Sequence, residues 1–256
     1  MDLRPRATPD AEVSQVNAQA WKFTLPSGPA GRYRWAQLDD YLHRKRGDFL
    51  WQPPFRLKLR SKVSDRNVPG TWGFGLWNDP FSFSLGVKAA SRRLPSLPNA
   101  AWFFFAGVEN YLSFKNDLPA NGFLAAVFSS PLVPSPLLGL SLPFMPLILV
   151  PAAARLVRRL AGSIIREDSH LLPVAVTEWH EYCLEWEQQV VRFHVDGEQR
   201  FCTEVVPKGR MGLVLWVDNQ FAAFPPDGKI RTGTLRCDYP VSLEIADFEI
   251  QSGSSF

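Results

Sequence analysis

The sequence predicts an all-β protein made mainly of antiparallel strands. Segments in which apolar and polar residues alternate recur along the chain, and segments rich in Gly, Pro, Asp and Asn separate them. Asp196 and Gly197 lie between two of these alternating segments, and an Asp-Gly pair in this position is typical of a two-residue β-hairpin. Helical periodicity is convincing over residues 152–165 alone. These three observations indicate strands joined by turns, with one helical segment.

The alternating segments can be followed in chain order. Residues 55–63 alternate apolar and basic side chains, which gives a strand one dry face and one wet face. A turn-rich segment follows at residues 65–70. Further alternating segments predict an antiparallel meander around the Asp-Gly turn: residues 181–186, 190–195 and 198–205. Residues 242–250 alternate again and form the predicted closing strand.

The middle of the chain is apolar and uncharged. No charged residue occurs from Leu118 to Ala154, and seven prolines interrupt this run. Because each interior proline removes a helical hydrogen bond and clashes with the preceding turn, a continuous transmembrane helix is excluded here. Leu156, Leu160 and Ile164 then recur at fourfold spacing beside arginines, which predicts a helix with an apolar face.

We treat residues 118–165 as a proline-rich, partly helical insertion in the β domain. Three arrangements of this insertion are open. It packs onto the body of the domain, it forms an apolar lid or wall over a binding groove, or it contacts a membrane surface. An interfacial helix pairs an apolar face with basic residues, and residues 155–164 have this composition.

Length and charge limit the domain organisation and the partners. A chain of 256 residues suits a single large β domain, so we assign residues 21–256 to it and the polar residues 1–20 to a flexible N-terminal segment. The near balance of 28 basic and 25 acidic residues gives no reason to expect a nucleic-acid partner. Three widely spaced cysteines, Cys183, Cys202 and Cys237, indicate free thiols and a cytoplasmic location.

Four segments match the motif pattern of one protein family. Residues 178–186 read Glu-Trp-His-Glu-Tyr-Cys-Leu-Glu-Trp, and residues 191–197 read Val-Arg-Phe-His-Val-Asp-Gly. Residues 69–77 contain Gly-Thr-Trp, and residues 243–250 form the closing strand. The four segments resemble corresponding motifs of glycoside hydrolase family 16, in the concanavalin A-like lectin and glucanase superfamily. This resemblance implies an antiparallel β-sandwich of two sheets, a jelly roll.

The catalytic motif of that family is missing from this chain. Family members hydrolyse β-glucans with a Glu-x-Asp-x-(x)-Glu motif on one strand. The segment in the corresponding place, residues 99–110, instead contains Trp102 and three phenylalanines, with one carboxylate, Glu109, at its far end. Because a retaining mechanism needs two carboxyl groups about 5 Å apart, glycosidase activity would require a partner carboxylate from another strand.

Two other segments place a tryptophan two residues before an aspartate. Alternation puts Trp77 and Asp79 on one face of their strand, and it puts Trp216, Asp218 and Gln220 on one face of theirs. An indole beside polar groups suits ligand binding, because the ring stacks while the polar group sets orientation. The candidate acids or bases are Asp218, Asp79 and Glu109. The candidate ligand-binding residues are Trp77, Asn78, Trp102, Trp216, Asn219 and Gln220. The alternative is that the tryptophans are core residues and the aspartates cap strand ends.

Three functions are open on these observations. The first is a binding protein whose groove holds a carbohydrate or a more apolar small molecule. The second is an enzyme, either an isomerase or cyclase that acts by acid–base chemistry on an apolar substrate or a diverged glycoside hydrolase. The third is peripheral membrane contact through residues 118–165. We expect no cofactor; the alternative implied by the resemblance is a structural calcium held by Asp247.

Overall fold

The computed structural model describes residues 2–80, 93–140 and 142–253. The strands in these ranges are numbered β1 to β16 in chain order. They are β1 (Arg4–Ala7), β2 (Glu12–Asn17), β3 (Ala20–Leu25), β4 (Trp35–Asp39), β5 (Phe55–Val63), β6 (Thr71–Trp77), β7 (Ala100–Ala106), β8 (Gly122–Ser129), β9 (Arg166–Leu171), β10 (His180–Trp186), β11 (Val191–Val195), β12 (Glu198–Thr203), β13 (Gly212–Asp218), β14 (Gln220–Ala223), β15 (Arg231–Thr234) and β16 (Val241–Ser252).

Two seven-stranded antiparallel sheets form a sandwich. The front sheet has the order β1-β4-β13-β6-β7-β8-β9, and the back sheet has the order β12-β11-β10-β5-β16-β3-β2. The strands β14 and β15 form a separate hairpin. The predicted all-β class and the two-sheet jelly-roll architecture are therefore confirmed.

The core lies between the two sheets and is rich in aromatic rings. Phe103 of the front sheet lies 5.1 Å from Tyr182 and 5.2 Å from Phe193 of the back sheet, measured between ring centroids. Phe74 and Leu76 of β6 are also fully buried on this inner side. Because side chains alternate along a strand, Thr71, Gly73, Gly75 and Trp77 of β6 face outward. Because the residues of β6 that pack in the core alternate with those that face outward, the core residues fix which side chains lie on the outer face of the front sheet.

The predicted hairpin and closing strand are present. Asp196 and Gly197 have φ angles of 52° and 80° and join β11 to β12. Both angles are positive, as a type I′ turn requires. The closing strand β16 pairs with both β3 and β5, and a register shift between Ala246 and Glu249 interrupts its pairing with β5.

The N-terminal residues differ from the expectation of a flexible segment. Most of residues 4–17 lie in β1 and β2, which extend the edges of the two sheets by pairing with β4 and β3. Edge strands are held largely by main-chain hydrogen bonds, and these do not depend on an apolar sequence pattern. Composition alone therefore did not reveal the two strands.

The uncharged middle of the chain contains both a strand and helices. Residues 122–129 form β8 in the front sheet, so the helical insertion proper covers residues 130–165. It contains helix α1 (Ser135–Gly139), a 3-10 segment (Leu142–Leu149) and helix α2 (Pro151–Ile164). The helix expected at residues 152–165 is confirmed as α2. No helix among the described residues is long and apolar enough to cross a membrane.

Candidate functional site

A cleft of about 760 Å³ lies against the outer face of the front sheet. All seven strands of the front sheet contribute residues to it, among them Gln37 of β4, Trp216 of β13, Trp77 of β6, Trp102 of β7, Ala126 of β8 and Ser169 of β9. Loop residues that include Leu112, Phe114 and Pro119 form a wall. Of the described residues in 130–165, none lines the cleft. The described part of the helical insertion therefore does not cover the cleft, and residues 112–120 contribute its apolar wall.

Five aromatic side chains form one connected cluster on the sheet inside the cleft: Trp77, Trp102, Phe104, Phe128 and Trp216. We call this set the aromatic floor. The ring of Trp102 is its centre, with centroid distances of 5.8 Å to Trp77, 5.4 Å to Phe104, 6.3 Å to Phe128 and 5.6 Å to Trp216. Three of the five residues, Trp77, Trp102 and Trp216, were predicted as ligand-binding residues from the sequence.

Two glycines of β6 make room for these rings. Gly73 pairs with both Trp216 and Phe104, and Gly75 pairs with Trp102. A Cβ atom at Gly73 would lie 2.8 Å from the indole of Trp216, and one at Gly75 would lie 2.6 Å from the Cβ of Trp102. Because both positions lack a side chain, rings from β13 and β7 meet across β6.

Asp218 lies at one corner of the cleft and is buried. Its Oδ1 accepts hydrogen bonds from the Thr71 hydroxyl and the Gln220 N–H, both at 3.0 Å, and its Oδ2 lies 3.5 Å from the Tyr33 hydroxyl. Burial raises the pKa of Asp218 to about 7, although the hydrogen bonds from Gln220, Thr71 and Tyr33 oppose the rise. Near neutral pH this carboxyl group therefore exchanges between its protonated and charged forms.

The other two predicted acids are placed differently. Asp79 lines the cleft but is buried in an ion pair with Arg93, whose guanidinium also donates to the Tyr41 carbonyl. Burial raises the pKa of Asp79, and the charge of Arg93 opposes this rise. Glu109 is exposed on the turn between β7 and β8 and does not line the cleft. Asp79 is thus a paired charge at the rim, and Glu109 lies outside the site.

The predicted polar ligand-binding residues separate into two kinds. Gln220 is half-buried and lines the cleft. The amide of Asn78 is used by the protein itself, because it donates to the Leu97 carbonyl and accepts from the Asn99 N–H. The amide of Asn219 likewise accepts from the Arg34 N–H and donates to the Leu235 carbonyl. The two asparagines hold loops beside the cleft and do not line it.

Two polar residues of β9 that the sequence did not identify line the cleft at its other end. Glu167 is 2% exposed, and its Oε2 accepts the Phe114 N–H at 2.8 Å. Burial raises the pKa of Glu167. Ser169 is 8% exposed, and its Oγ has no hydrogen-bond partner within the described ranges. The indole N–H of Trp102 is also buried and unpaired there. Both polar atoms are therefore buried at the cleft without a partner among the described residues.

The carboxyl groups that line the cleft are far apart. Asp218 pairs with Thr71 at one end of β6, whereas the row of Glu167 runs through Phe128 and Ala100 to Trp77 at the other end. Four strand spacings separate β13 from β9, which is about 19 Å along the sheet. Trp77 lies about 20 Å along β6 from the row of Asp218, and Asp79 follows Trp77 at that far end. Asp79 and Glu167 share that end of the sheet but are separated by the three strand spacings from β6 to β9, about 14 Å. None of the three pairs therefore approaches the separation that a retaining glycosidase uses.

Asp247 was the candidate calcium ligand. Its side chain is 64% exposed and lies 3.6 Å from the guanidinium of Arg60. The residue has a φ of 51° at the irregular part of β16. In the described parts of the chain, no group of three or more His, Cys, Asp or Glu side chains could hold a metal ion.

Comparisons with known proteins give structural matches only. No family model matches the chain, and no curated protein matches it. Similar solved structures include an endo-β-galactosidase from Clostridium perfringens that releases GlcNAcα1-4Gal, with 13% identity, a TM-score of 0.49 and coverage of 94% of this chain and 52% of that one. The chain thus spans about half of that protein.

Two further matches cover more of the other chain. A β-glucanase from Bacillus licheniformis has 11% identity and a TM-score of 0.49, with 94% of this chain and 82% of that chain covered. A legume lectin-like domain from Entamoeba histolytica has 9% identity and a TM-score of 0.48, with 98% and 90% covered.

Proposed function

We propose that this protein binds a small, mostly apolar molecule that contains a ring system, and that it does so in the front-sheet cleft without ordinary glycosidase chemistry. The aromatic floor is the observation that carries this proposal. Two of its rings, Trp102 and Phe104, lie on β7, the strand whose counterpart in the family that the sequence resembles carries the paired carboxyl groups. A floor of this kind offers stacking surface and excludes water.

The size and composition of the cleft support a small-molecule ligand. Small-molecule sites commonly enclose about 300–1,000 Å³ and combine apolar walls with a few polar groups, and this cleft encloses about 760 Å³. Each favourable aromatic pair contributes about 0.5–1.5 kcal/mol beyond simple burial of area. A flat ring system that covers Trp102 and Trp216 would gain this contribution more than once.

Polar groups at the two ends of the cleft would fix the orientation of the ligand. Asp218, Tyr33 and Gln220 form one end. Ser169 and the indole N–H of Trp102 supply unpaired groups toward the other end. A buried polar group without a partner costs about 1–3 kcal/mol, so a ligand oxygen that accepts from Trp102 would recover part of this cost.

A carbohydrate is the competing ligand class. A sugar chain presents many hydroxyl groups, each of which needs a hydrogen-bond partner once it is buried. The aromatic floor gives such a chain stacking surface but few partners, since the two asparagines that line the cleft, Asn99 and Asn110, are already bonded within the protein. The distribution of polar groups therefore favours the more apolar ligand.

Fluorescence titration tests the proposal. The apolar probe 1-anilinonaphthalene-8-sulfonate and the glucan fragment laminarihexaose would be titrated separately into the full chain. We expect the probe to bind, and we expect Trp102→Ala and Trp216→Ala each to weaken its binding at least about tenfold. Trp179→Ala is the matched control, because the Trp179 ring lies against Arg60 and Lys62 of β5 in the back sheet, away from the cleft. Binding of laminarihexaose alone would contradict the proposal.

An enzyme that uses Asp218 as its acid or base is the second candidate function. The observation that favours it is the buried carboxyl of Asp218, whose pKa is raised to about 7. A carboxyl group with this pKa can donate a proton near neutral pH, and Trp216 in the same strand would hold the substrate beside it. Asp218→Asn should retain probe binding and abolish any turnover found by mass spectrometry of candidate apolar substrates. Unchanged turnover would exclude Asp218 from the reaction.

A further inference from the structure

Exposed apolar side chains are concentrated in the helical insertion. Fifteen of the described large hydrophobic residues are exposed, and ten of these lie within residues 130–165. The ten are Leu132, Leu137, Leu140, Leu147, Leu149, Val150, Leu156, Val157, Leu160 and Ile164. Single exposed apolar residues are ordinary, but large contiguous apolar patches on soluble proteins usually mark interaction sites.

Helix α2 has three distinct faces. Ala154 and Arg158 are buried and face the body of the protein. Leu156, Leu160 and Ile164 recur every four residues and are exposed, so they form one stripe along the helix. Arg155 and Arg159 are exposed beside that stripe. The arrangement places a basic face between the buried face and the apolar stripe.

The buried face of α2 is firmly attached to the domain. The guanidinium of Arg158 donates to the Phe224 carbonyl at 2.7 Å and to the Asn116 side chain at 3.0 Å, and it also donates to the Ser113 carbonyl. It lies over the ring of Tyr111. Because these bonds fix the rotation of the helix, the stripe of Leu156, Leu160 and Ile164 points away from the domain.

The charge around the apolar stripe is mainly basic. No acidic residue occurs from 118 to 166. Gly228 approaches the first turn of α2 at Pro151 and Arg155, which brings the exposed Lys229 close to the helix. Asp227 is the acidic residue of that loop, and its backbone carbonyl accepts a hydrogen bond from the Arg155 guanidinium at 3.1 Å. An anionic surface would therefore be attracted to this side of the protein.

We infer that the helical insertion docks on the surface of an anionic lipid bilayer, with the stripe of α2 inserted at the level of the headgroups. Interfacial helices combine an apolar face with arginine or lysine at its edge, which is the arrangement of Leu156, Leu160 and Arg159. Among the side chains that the structure describes in residues 130–165, the exposed large apolar ones are all aliphatic, whereas cores of protein interfaces are enriched in aromatic residues. A bilayer therefore fits this surface better than a protein partner or a second copy of the chain.

Docking of this kind would place the cleft close to the bilayer. Ser113, Phe114 and Phe224 line the cleft, and Arg158 of α2 bonds to two of them. The loop that forms the cleft wall is thus tied directly to the docking helix. Membrane docking is nevertheless independent of the proposed ligand, because it depends on the opposite, exposed face of α2.

Vesicle co-sedimentation tests the inference with the full chain. The vesicles are phosphatidylcholine alone, or phosphatidylcholine mixed with phosphatidylserine. We expect binding to the mixed vesicles. Leu156→Ser/Leu160→Ser/Ile164→Ser should lower the partition coefficient at least about a hundredfold, and Arg155→Gln/Arg159→Gln should lower it about fivefold per arginine. The matched control is Val16→Ser/Val108→Ser, which removes exposed apolar side chains elsewhere and should not change binding.

Circular dichroism and sedimentation velocity make the outcome decisive. The leucine–isoleucine triple variant, the arginine double variant and the valine control should all keep the wild-type circular dichroism spectrum, since the substituted side chains are exposed. Absence of binding to either kind of vesicle would overturn the inference, as would unchanged binding of the triple variant. Dimers that form without vesicles and dissociate in the triple variant, with no vesicle binding, would assign the stripe to a second copy instead. Probe binding in the cleft is measured separately, so failure of one proposal leaves the other intact.

Discussion

The indole of Trp216 and the carboxyl of Asp218 are joined through a single atom, the hydroxyl oxygen of Thr71. This oxygen accepts the Trp216 N–H at 3.0 Å and donates its own hydrogen to Asp218 at 3.0 Å. The three groups form a directed chain of hydrogen bonds from the aromatic floor to the buried acid. We therefore expect the position of the Trp216 ring and the protonation of Asp218 to be coupled.

Replacement of Thr71 tests this coupling. Thr71→Val keeps the shape of the side chain but leaves the Trp216 N–H without its acceptor and Asp218 without one donor, so we expect a loss of about 1–3 kcal/mol in the free energy of unfolding. The pKa of Asp218 should rise further, because the Thr71 hydrogen bond lowers it. Urea denaturation and the pH dependence of tryptophan fluorescence measure the two effects. Thr71→Ser should restore both, and failure to do so would argue against the hydroxyl chain.

The raised pKa of Asp218 predicts how stability changes with pH. In the unfolded chain this group titrates near its ordinary value of about 4, whereas in the folded protein its pKa is about 7. The folded state therefore binds the proton of Asp218 more tightly than the unfolded chain does. The stabilisation that Asp218 contributes is fully present below pH about 4 and is lost as the pH rises from about 4 to about 7.

Asp218→Asn isolates this contribution. The unfolding free energy of the wild type should fall between pH about 4 and about 7 because of Asp218, and the variant should lack this fall. At pH 8 we expect the variant to be more stable than the wild type by an amount on the order of a few kcal/mol. Asp40 contributes a fall of the same sign, because burial raises its pKa to about 6, so the difference between wild type and variant is the quantity to measure. Identical pH profiles from urea denaturation would contradict the prediction.

The outward tryptophans were predictable from sequence, and their polar neighbours were not. Period-two alternation was enough to place Trp77 and Trp216 on one side of their strands, since the intervening residues are strongly apolar. The strand that carries Glu167 and Ser169 reads Arg-Glu-Asp-Ser-His-Leu, and it has no apolar alternation. Its place in the sheet depends on pairing with β8, from which the helical insertion separates it along the chain. Such long-range pairing leaves no local signal.

The sequence likewise did not decide which face of helix α2 is exposed, because that depends on contacts with residues distant in the chain. Leu156, Leu160 and Ile164 read equally well as a face that packs on the domain. Arg158 decides the orientation, because its hydrogen bonds to the backbone of Ser113 and Phe224 turn the helix the other way. A buried arginine with backbone carbonyl partners is not distinguishable in sequence from its exposed neighbours Arg155 and Arg159.

Gly73 should be intolerant of a side chain. A Cβ at this position would lie 2.4 Å from the Phe103 carbonyl and 2.8 Å from the indole of Trp216, so Gly73→Ala must displace the ring or the strand. Overpacking of this kind typically costs about 1–3 kcal/mol. We expect lower stability in urea denaturation and weaker probe binding. Gly197→Ala is unsuitable as a control, because its φ is 80°; Gly47→Ala is suitable, because nothing lies within 4 Å of the added atom.

Ser169 provides a prediction in which stability and binding change in opposite directions. Its buried Oγ lacks a hydrogen-bond partner among the described residues, and removal of an unsatisfied buried hydroxyl relieves a cost of about 1–3 kcal/mol. Ser169→Ala should therefore stabilise the free protein, with a higher urea midpoint. If the hydroxyl bonds to the ligand, the same substitution should weaken binding of an oxygen-containing ring compound several-fold.

Ser61→Ala is the matched control, because Ser61 also has a buried, unpaired hydroxyl but lies in the back sheet away from the cleft. Ser169 is a ligand contact if both substitutions stabilise the protein and only Ser169→Ala loses affinity for the ligand. Equal ligand affinity in the two variants would exclude Ser169 as a ligand contact.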